Sequence, residues 1–218
     1  MHNLEYEAEQ EAKRKVVPSH TTIAEFERQV AAFYGAPYGV AVESCTAAIE
    51  LCLRYTQAGC ITVPRRTYLS VPMLAGKLGI DLIWANISNV WQDYYFLTPS
   101  IVDAAVYWKK GGYLKGTYMC LSFQKQKHLS LNKGGMILCN SKLPAERLRK
   151  LANDGRVPGV PWREQDIDSW GLHYAMTPET ALLGLERLPA AIATKPRQWV
   201  YEDWPLLTEM KIFKNKQL

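Results

Sequence analysis

The segment Ser122-Phe123-Gln124-Lys125-Gln126-Lys127-His128 places lysines just beyond an apolar run, with Gly134-Gly135 and a second apolar run after it. A lysine held in a cleft at a strand end, near a small hydroxyl residue, can attack a carbonyl and carry it as a Schiff base. The same spacing suits a solvated face bearing Lys125, Lys127 and Lys133. A second segment, Val102-Asp103-Ala104-Ala105, ends an apolar run on a carboxylate. Ionised there, the group is costly unless a cation faces it, and a protonated ring nitrogen is one such cation. An ordinary strand-end aspartate reads the same way. The third segment, Ser44-Cys45-Thr46-Ala47-Ala48, sets hydroxyls at a helix start, where free N–H groups and the dipole favour a phosphate. A plain Ser or Thr N-cap explains it equally well in isolation.

Periodicity predicts the elements that must position these groups. Thr22-x-x-Glu25 reads as a capping box opening a helix with apolar face Ile23, Phe26, Val30 and Phe33, stopped at Gly35. Strands follow at Tyr38 to Val42, Ile61 to Val63, Leu82 to Ala85, Ile101 to Ala104, Met119 to Phe123 and Met136 to Cys139. Helices are expected at Ala47 to Tyr55, about Leu69 to Lys77, and Pro144 to Asn153. Thr177 as N-cap and Pro178 at the first helical position open another, reaching about Ala193. Apolar runs without alternation suit strands covered on both faces. The pattern predicts an α/β fold, a mostly parallel central sheet flanked by helices, with ligands at the carboxyl ends of strands. Three segments are expected: polar residues 1–19, an α/β domain over 20–155, and a linker, helix and Trp- and Lys-rich tail over 156–218.

Composition bounds the function. With 218 residues, 48% hydrophobic and 22% charged, the chain is globular, which excludes disorder, collagen and coiled coil. No apolar run approaches the ~18 residues of a membrane span, and MHNLEYEAEQEAKRK has no apolar signal core. A cytoplasmic protein without membrane contact is expected. The net charge of +5 is scattered and too weak to specify nucleic acid. A base-stacking module needs aromatics interleaved with Arg or Lys on one face, whereas most Trp residues lie near the presumed linker and tail. Cys45, Cys52, Cys60, Cys120 and Cys139 lack C-x-x-C spacing, so they read as thiols of a reducing compartment, mostly buried, and no metal site is expected.

Taken in order, these segments resemble the DegT/DnrJ/StrS family of sugar aminotransferases, which have the aspartate-aminotransferase-like fold and use pyridoxal 5'-phosphate (PLP). The stretch from Ile23 through Phe33-Tyr34-Gly35 to Val42-Glu43-Ser44-Cys45-Thr46-Ala47-Ala48 is similar to the opening helix and S-G-T-A-A phosphate turn. Val63-Pro64-Arg65-Arg66-Thr67-Tyr68 resembles the P-x-x-T-aromatic loop, Val102-Asp103-Ala104-Ala105 the E-D-A-A-Q strand end, and Ser122 to Lys127 the S-F-x-x-x-K. Gly171-Leu172-His173-Tyr174-Ala175-Met176 echoes G-x-N-Y-R-M, so the resemblance covers about residues 20 to 195.

The resemblance implies a role for each matched residue. Lys127 would hold PLP as a Schiff base and shuttle the substrate proton, with Lys125 a rival of poorer spacing. Asp103 would pair with the pyridine nitrogen and keep it protonated. Tyr68 would stack on the ring; Thr46, Cys45 and the amides around Ala47, helped by Ser122, would seat the phosphate; Gln124 would line the cleft. His173 stands where the family has an asparagine that reaches the neighbouring subunit's phosphate. The implied reaction is ping-pong transfer of an amino group from an amino acid, glutamate being the expected donor, to a keto-sugar, nucleotide-linked in the family, or another carbonyl acceptor. A homodimer with shared active sites is implied, and the aromatic stretch Trp91 to Phe96 is expected at the subunit contact, with capping of a substrate cleft as its other reading.

The departures are also specific. Cys45 replaces a glycine, Val106 a glutamine, Lys133 the acid of G-E-G-G, and Ala175 an arginine. Too few residues separate Trp84 from Asp103 for the family's extra strand and helix, and most of the small C-terminal domain is expected to be absent. The alternative is therefore a PLP-binding protein of this fold with a different or lost activity.

Overall fold

The computed structural model describes residues 19–85 and 93–214. Its elements are α1 (His20–Tyr34), β1 (Tyr38–Val42), α2 (Cys45–Thr56), β2 (Cys60–Pro64), α3 (Ser70–Leu78) and β3 (Asp81–Ala85). They continue with β4 (Tyr95–Thr98), β5 (Ile101–Asp103), β6 (Tyr118–Ser122), β7 (Gly135–Cys139), α4 (Lys142–Ala152), α5 (Pro178–Ala193) and the single turn α6 (Lys211–Lys214). Helix α1 begins earlier than the Thr22-x-x-Glu25 reading placed it. Ser19 is the N-cap, and its N–H donates to the Thr22 hydroxyl at 3.1 Å, so Thr22 sits inside the first turn. Gly35 ends the helix in the left-handed region, φ 75°, as its position predicted.

The main sheet runs β1-β7-β6-β5-β4, and β2 pairs with β3 separately. The α/β class holds, but the strand directions are mixed, not mostly parallel. β5–β6 and β2–β3 are parallel; β1–β7, β6–β7 and β4–β5 are antiparallel. The cause is connection length. β4 turns into β5 at Pro99-Ser100, and β6 returns as β7 through a loop without a crossover helix, so each pair must reverse direction. The stretch between Trp84 and Asp103, expected to be too short for an additional strand and helix, does contain the strand β4. Residues 86–92 lie outside the described set, so Trp91 and Gln92 of the Trp91 to Phe96 stretch fall outside it.

Alternation within the strands builds two cores. Val40, Val42, Cys120, Ile137 and Cys139 face α2, α3 and α4. Ala41, Met119, Leu121, Met136 and Leu138 face α1 and α5. Both faces are covered, as the unalternating runs predicted. Cys52, Cys120 and Cys139 are buried, Cys45 partly so, and Cys60 is exposed.

One ion pair ties the second core to the sheet edge. The buried Glu27 carboxylate accepts from Arg149 Nη2 at 2.7 Å and from the Ala41 N–H at 2.7 Å, and Arg149 also donates to the Gly39 carbonyl. Burial pushes the Glu27 carboxyl up while Arg149 opposes it. Arg149→Met strands a buried charge and is expected to cost about 3–5 kcal/mol. The urea unfolding midpoint checks this, and an unchanged midpoint contradicts it. No helix among the described residues is long and apolar enough to cross a membrane.

Candidate active site

The carboxyl ends of β5 and β6, the start of α2 and the start of α3 converge on a cavity of about 350 Å³. Asp103 is 5% exposed and lines it from the end of β5. Its Oδ2 accepts from the Tyr95 hydroxyl at 2.6 Å and its Oδ1 from the Ala105 N–H at 2.9 Å. Tyr95 has one proton and gives it to the carboxylate, so Thr67 donates across the 2.7 Å contact to the Tyr95 oxygen. Both donors to Asp103 are neutral. Burial therefore raises its pKa, with the hydrogen bonds and the Lys127 charge opposing. Each carboxylate oxygen keeps lone-pair capacity, and a buried acid of this kind is completed by a cationic N–H.

Lys127 reaches the same cavity from the loop between β6 and β7. Phe123, Leu129 and Leu131 anchor that loop in the second core, and Phe123 packs edge-on to Phe26 at 5.5 Å. The Lys127 N–H closes a turn on the Gln124 carbonyl at 2.8 Å. Apolar anchoring on one side leaves the half-buried lysine turned toward the cavity. Burial holds its amine below the usual lysine range, with Cys45 and Asp103 opposing.

At the helix start, Ser44 accepts from the Ala47 N–H at 3.1 Å, and the Thr46 hydroxyl lies 2.6 Å from that of Ser70. Ala47's amide is thus engaged in the cap, and the earlier N–H groups of Cys45 and Thr46 are those that precede any intrahelical partner. β7 begins in close contact with this turn. A Cβ on Gly135 would stand 2.4 Å from the Ser44 carbonyl carbon, so only glycine lets the strand approach. Ser122, Gln124 and the half-exposed Tyr68 complete the wall.

The structure thus brings Lys127, Asp103, Tyr68, Thr46, Cys45, Ser122 and Gln124 around one cavity. Ala47 stands behind it. His173 is elsewhere: its Nδ1 lies 2.9 Å from Asp154 and its side chain is 89% exposed. Sequence reasoning missed several groups. Ser70 was legible as a hydroxyl at a helix start. Tyr95, expected at a subunit contact, is buried against Asp103, which only the β4–β5 pairing reveals. Trp199, Asp203 and Trp204 line the cavity from a tail that carries no local sign of its destination.

The sequence matches the DegT/DnrJ/EryC1/StrS aminotransferase family over residues 3–115 and 108–201. The chain belongs to that family. Among solved structures, AtS13 from Actinomadura melliaura is similar with 22% identity and a TM-score of 0.67, covering 86% of this chain and 64% of that one. Spr1654 from Streptococcus pneumoniae in its PLP form gives 18% and 0.66, covering 84% and 63%. A DegT DnrJ EryC1 StrS aminotransferase from Brucella abortus gives 17% and 0.64, covering 86% and 62%. No curated protein matches. This DegT-family chain therefore shares the fold of the solved relatives and spans less than two thirds of their length.

Proposed function

We propose that this chain binds PLP in the 350 Å³ cavity and acts as an aminotransferase, taking an amino group from an amino acid such as glutamate and passing it to a keto-sugar or another carbonyl acceptor. The observation that carries the reading is the shared cavity of an amine and a buried carboxylate whose hydrogen-bond donors are neutral. Bound there, PLP would supply an aldehyde for the amino group and an electron-withdrawing ring for the carbanion.

The residues divide the work. Asp103 would hold a ring N–H, the cation its buried carboxylate calls for. Thr46, Ser70, Ser122 and the first N–H groups of α2 would bind the phosphate, where the dipole favours an anion. Tyr68 would cover one side of the ring, and Lys127 Nζ would hold the aldehyde carbon and then move the proton at the substrate carbon. His173, exposed and away from its own cavity, fits a role toward a second copy in a homodimer.

The second reading, a PLP-binding protein with another reaction or none, is supported by Ala175 and Val106 standing where the family carries arginine and glutamine. Purified protein titrated with PLP separates the readings. A visible band that amino donors bleach supports the transaminase, a band that no donor bleaches supports the binder, and no band at saturating PLP removes both.

A further inference from the structure

The tail beyond α5 returns to the mouth of the cavity and is fastened there. Arg66 Nη1 donates to the Trp204 carbonyl at 2.7 Å, the Leu207 N–H donates to the Arg65 carbonyl at 2.8 Å, and Leu206 bridges to Arg66. Tyr201 and Leu207 are buried, and Phe213 packs on Trp84 at 5.3 Å. These anchors fix the ring of Trp199, whose centroid lies 4.9 Å from Lys127 Nζ. Trp204 stacks on Trp199 at 5.3 Å and 27°. The guanidinium of Arg197 lies 4.0 Å from the same Trp199 centroid, closer than the lysine, and its Nη2 pairs with Asp203 at 2.8 Å.

We infer that this strap, through Trp199 and Arg197, positions the Lys127 amine and keeps it as the free base that carbonyl attack requires. Two opposing effects must be weighed. An indole face attracts a cation and would favour the ammonium. Here Arg197, its charge paired with Asp203, already lies against that ring, nearer than the lysine, which weakens the ring's pull on a second cation, while the ring shields the amine from water. The remaining groups around the amine do not reverse this. Cys45, at the start of α2, is pushed far up by burial and stays a neutral thiol. Asp103, at the end of β5, attracts the ammonium but shares its charge with Tyr95 and Ala105. Lys133 also lines the cavity, its charge paired to Glu43 at 2.7 Å. The direction of the Lys127 shift agrees: burial lowers it most, Cys45 and Asp103 oppose, and Arg197 adds a smaller lowering.

The inference rests on Lys127 being the carbonyl-capturing group, and its test needs no cofactor. The apo protein is acetylated with limiting acetic anhydride across a pH series, and peptide mass spectrometry gives the midpoint for Lys127 against Lys133. In both Trp199→Leu and Arg197→Gln the Lys127 midpoint is expected to rise by about half a unit or more, a fall of about threefold in its reactivity below the midpoint. The Lys133 midpoint stays in place and reports an intact cavity. A Lys127 midpoint that fails to rise in either variant, with Lys133 unmoved, overturns the inference. Should Lys133 move as well, Trp199→Phe, which keeps a ring over the amine, decides: a midpoint at the wild-type position supports the inference, and a displaced one overturns it. Failure of the wild type to bind PLP would overturn the proposed function instead, leaving these midpoints as they stand.

Discussion

Lys127→Ala is expected to abolish the covalent PLP adduct that borohydride fixes to the wild-type protein, read as the loss of one cofactor mass in the intact protein. On the proposed reading this amine is the nucleophile, and Lys133, the other amine that also lines the cavity, is held in an ion pair with Glu43 at 2.7 Å. Lys125, the neighbour in sequence, is not among the groups lining the cavity, and its carbonyl is held by the Ser130 hydroxyl at 2.8 Å. Lys125→Ala therefore keeps the adduct. Should the adduct survive in Lys127→Ala and vanish in Lys125→Ala, the role passes to Lys125. Because burial holds the Lys127 amine low, adduct formation in the wild type persists at pH values where an ordinary lysine is almost wholly protonated. Any residual turnover of an amino donor by Lys127→Ala should fall by about 10²–10⁴-fold, the range for losing a positioned acid–base group.

Asp103→Asn should slow the reaction with an amino donor by about 10²–10³-fold, the scale for removing one preorganised charge partner. Stopped-flow bleaching of the cofactor band measures it, and an unchanged rate would detach Asp103 from the cofactor. Stability should move the other way. Burial raises the folded-state pKa of Asp103, so the folded chain binds that proton more tightly than the unfolded chain. Its contribution to stability is present at low pH and declines as pH rises through the raised pKa. The amide has no charge to desolvate, so the apo variant at neutral pH should unfold at a urea concentration equal to or above the wild type's. A loss of rate with stability retained marks a group selected for chemistry, since replacing a buried charge with a neutral isostere of similar shape is often harmless to folding.

Much of this was legible in the residues. The order of strands and helices follows from apolar runs and punctuation: Gly35 stops a helix, and Thr177-Pro178 opens one. Of the residues marked in the sequence that line the cavity, Lys127, Asp103, Thr46, Cys45, Ser122 and Gln124 lie in segments at strand and helix ends, places where a parallel β5–β6 pair and a helix start leave ligand-binding groups unspent, while Tyr68 came from the family resemblance. Strand direction was less legible, because an apolar pentapeptide such as Met136 to Cys139 reads the same in either sense. The turn at Pro99-Ser100 and the loop carrying Lys127 impose the reversals. Strand β4 was missed because its aromatic residues suit an interface as well as a core, and only pairing with β5 aims the Tyr95 hydroxyl at Asp103.

The sequence by itself determined the α/β class, the family, and the local identity of the groups that do chemistry, since periodicity and capping act over a few residues. The tertiary structure decided which of them meet. Trp199 and Trp204 reach the cavity because the Arg65 carbonyl and the Arg66 guanidinium, far away in the chain, hold the tail by hydrogen bonds to its backbone. Such bonds are indifferent to side-chain identity on one side and leave no pattern to read. His173 stays out of its own cavity because its segment pairs with Asn153 just past α4, where its ring meets Asp154. Proximity across the sheet is a property of the closed fold, and local preference carries no information about it.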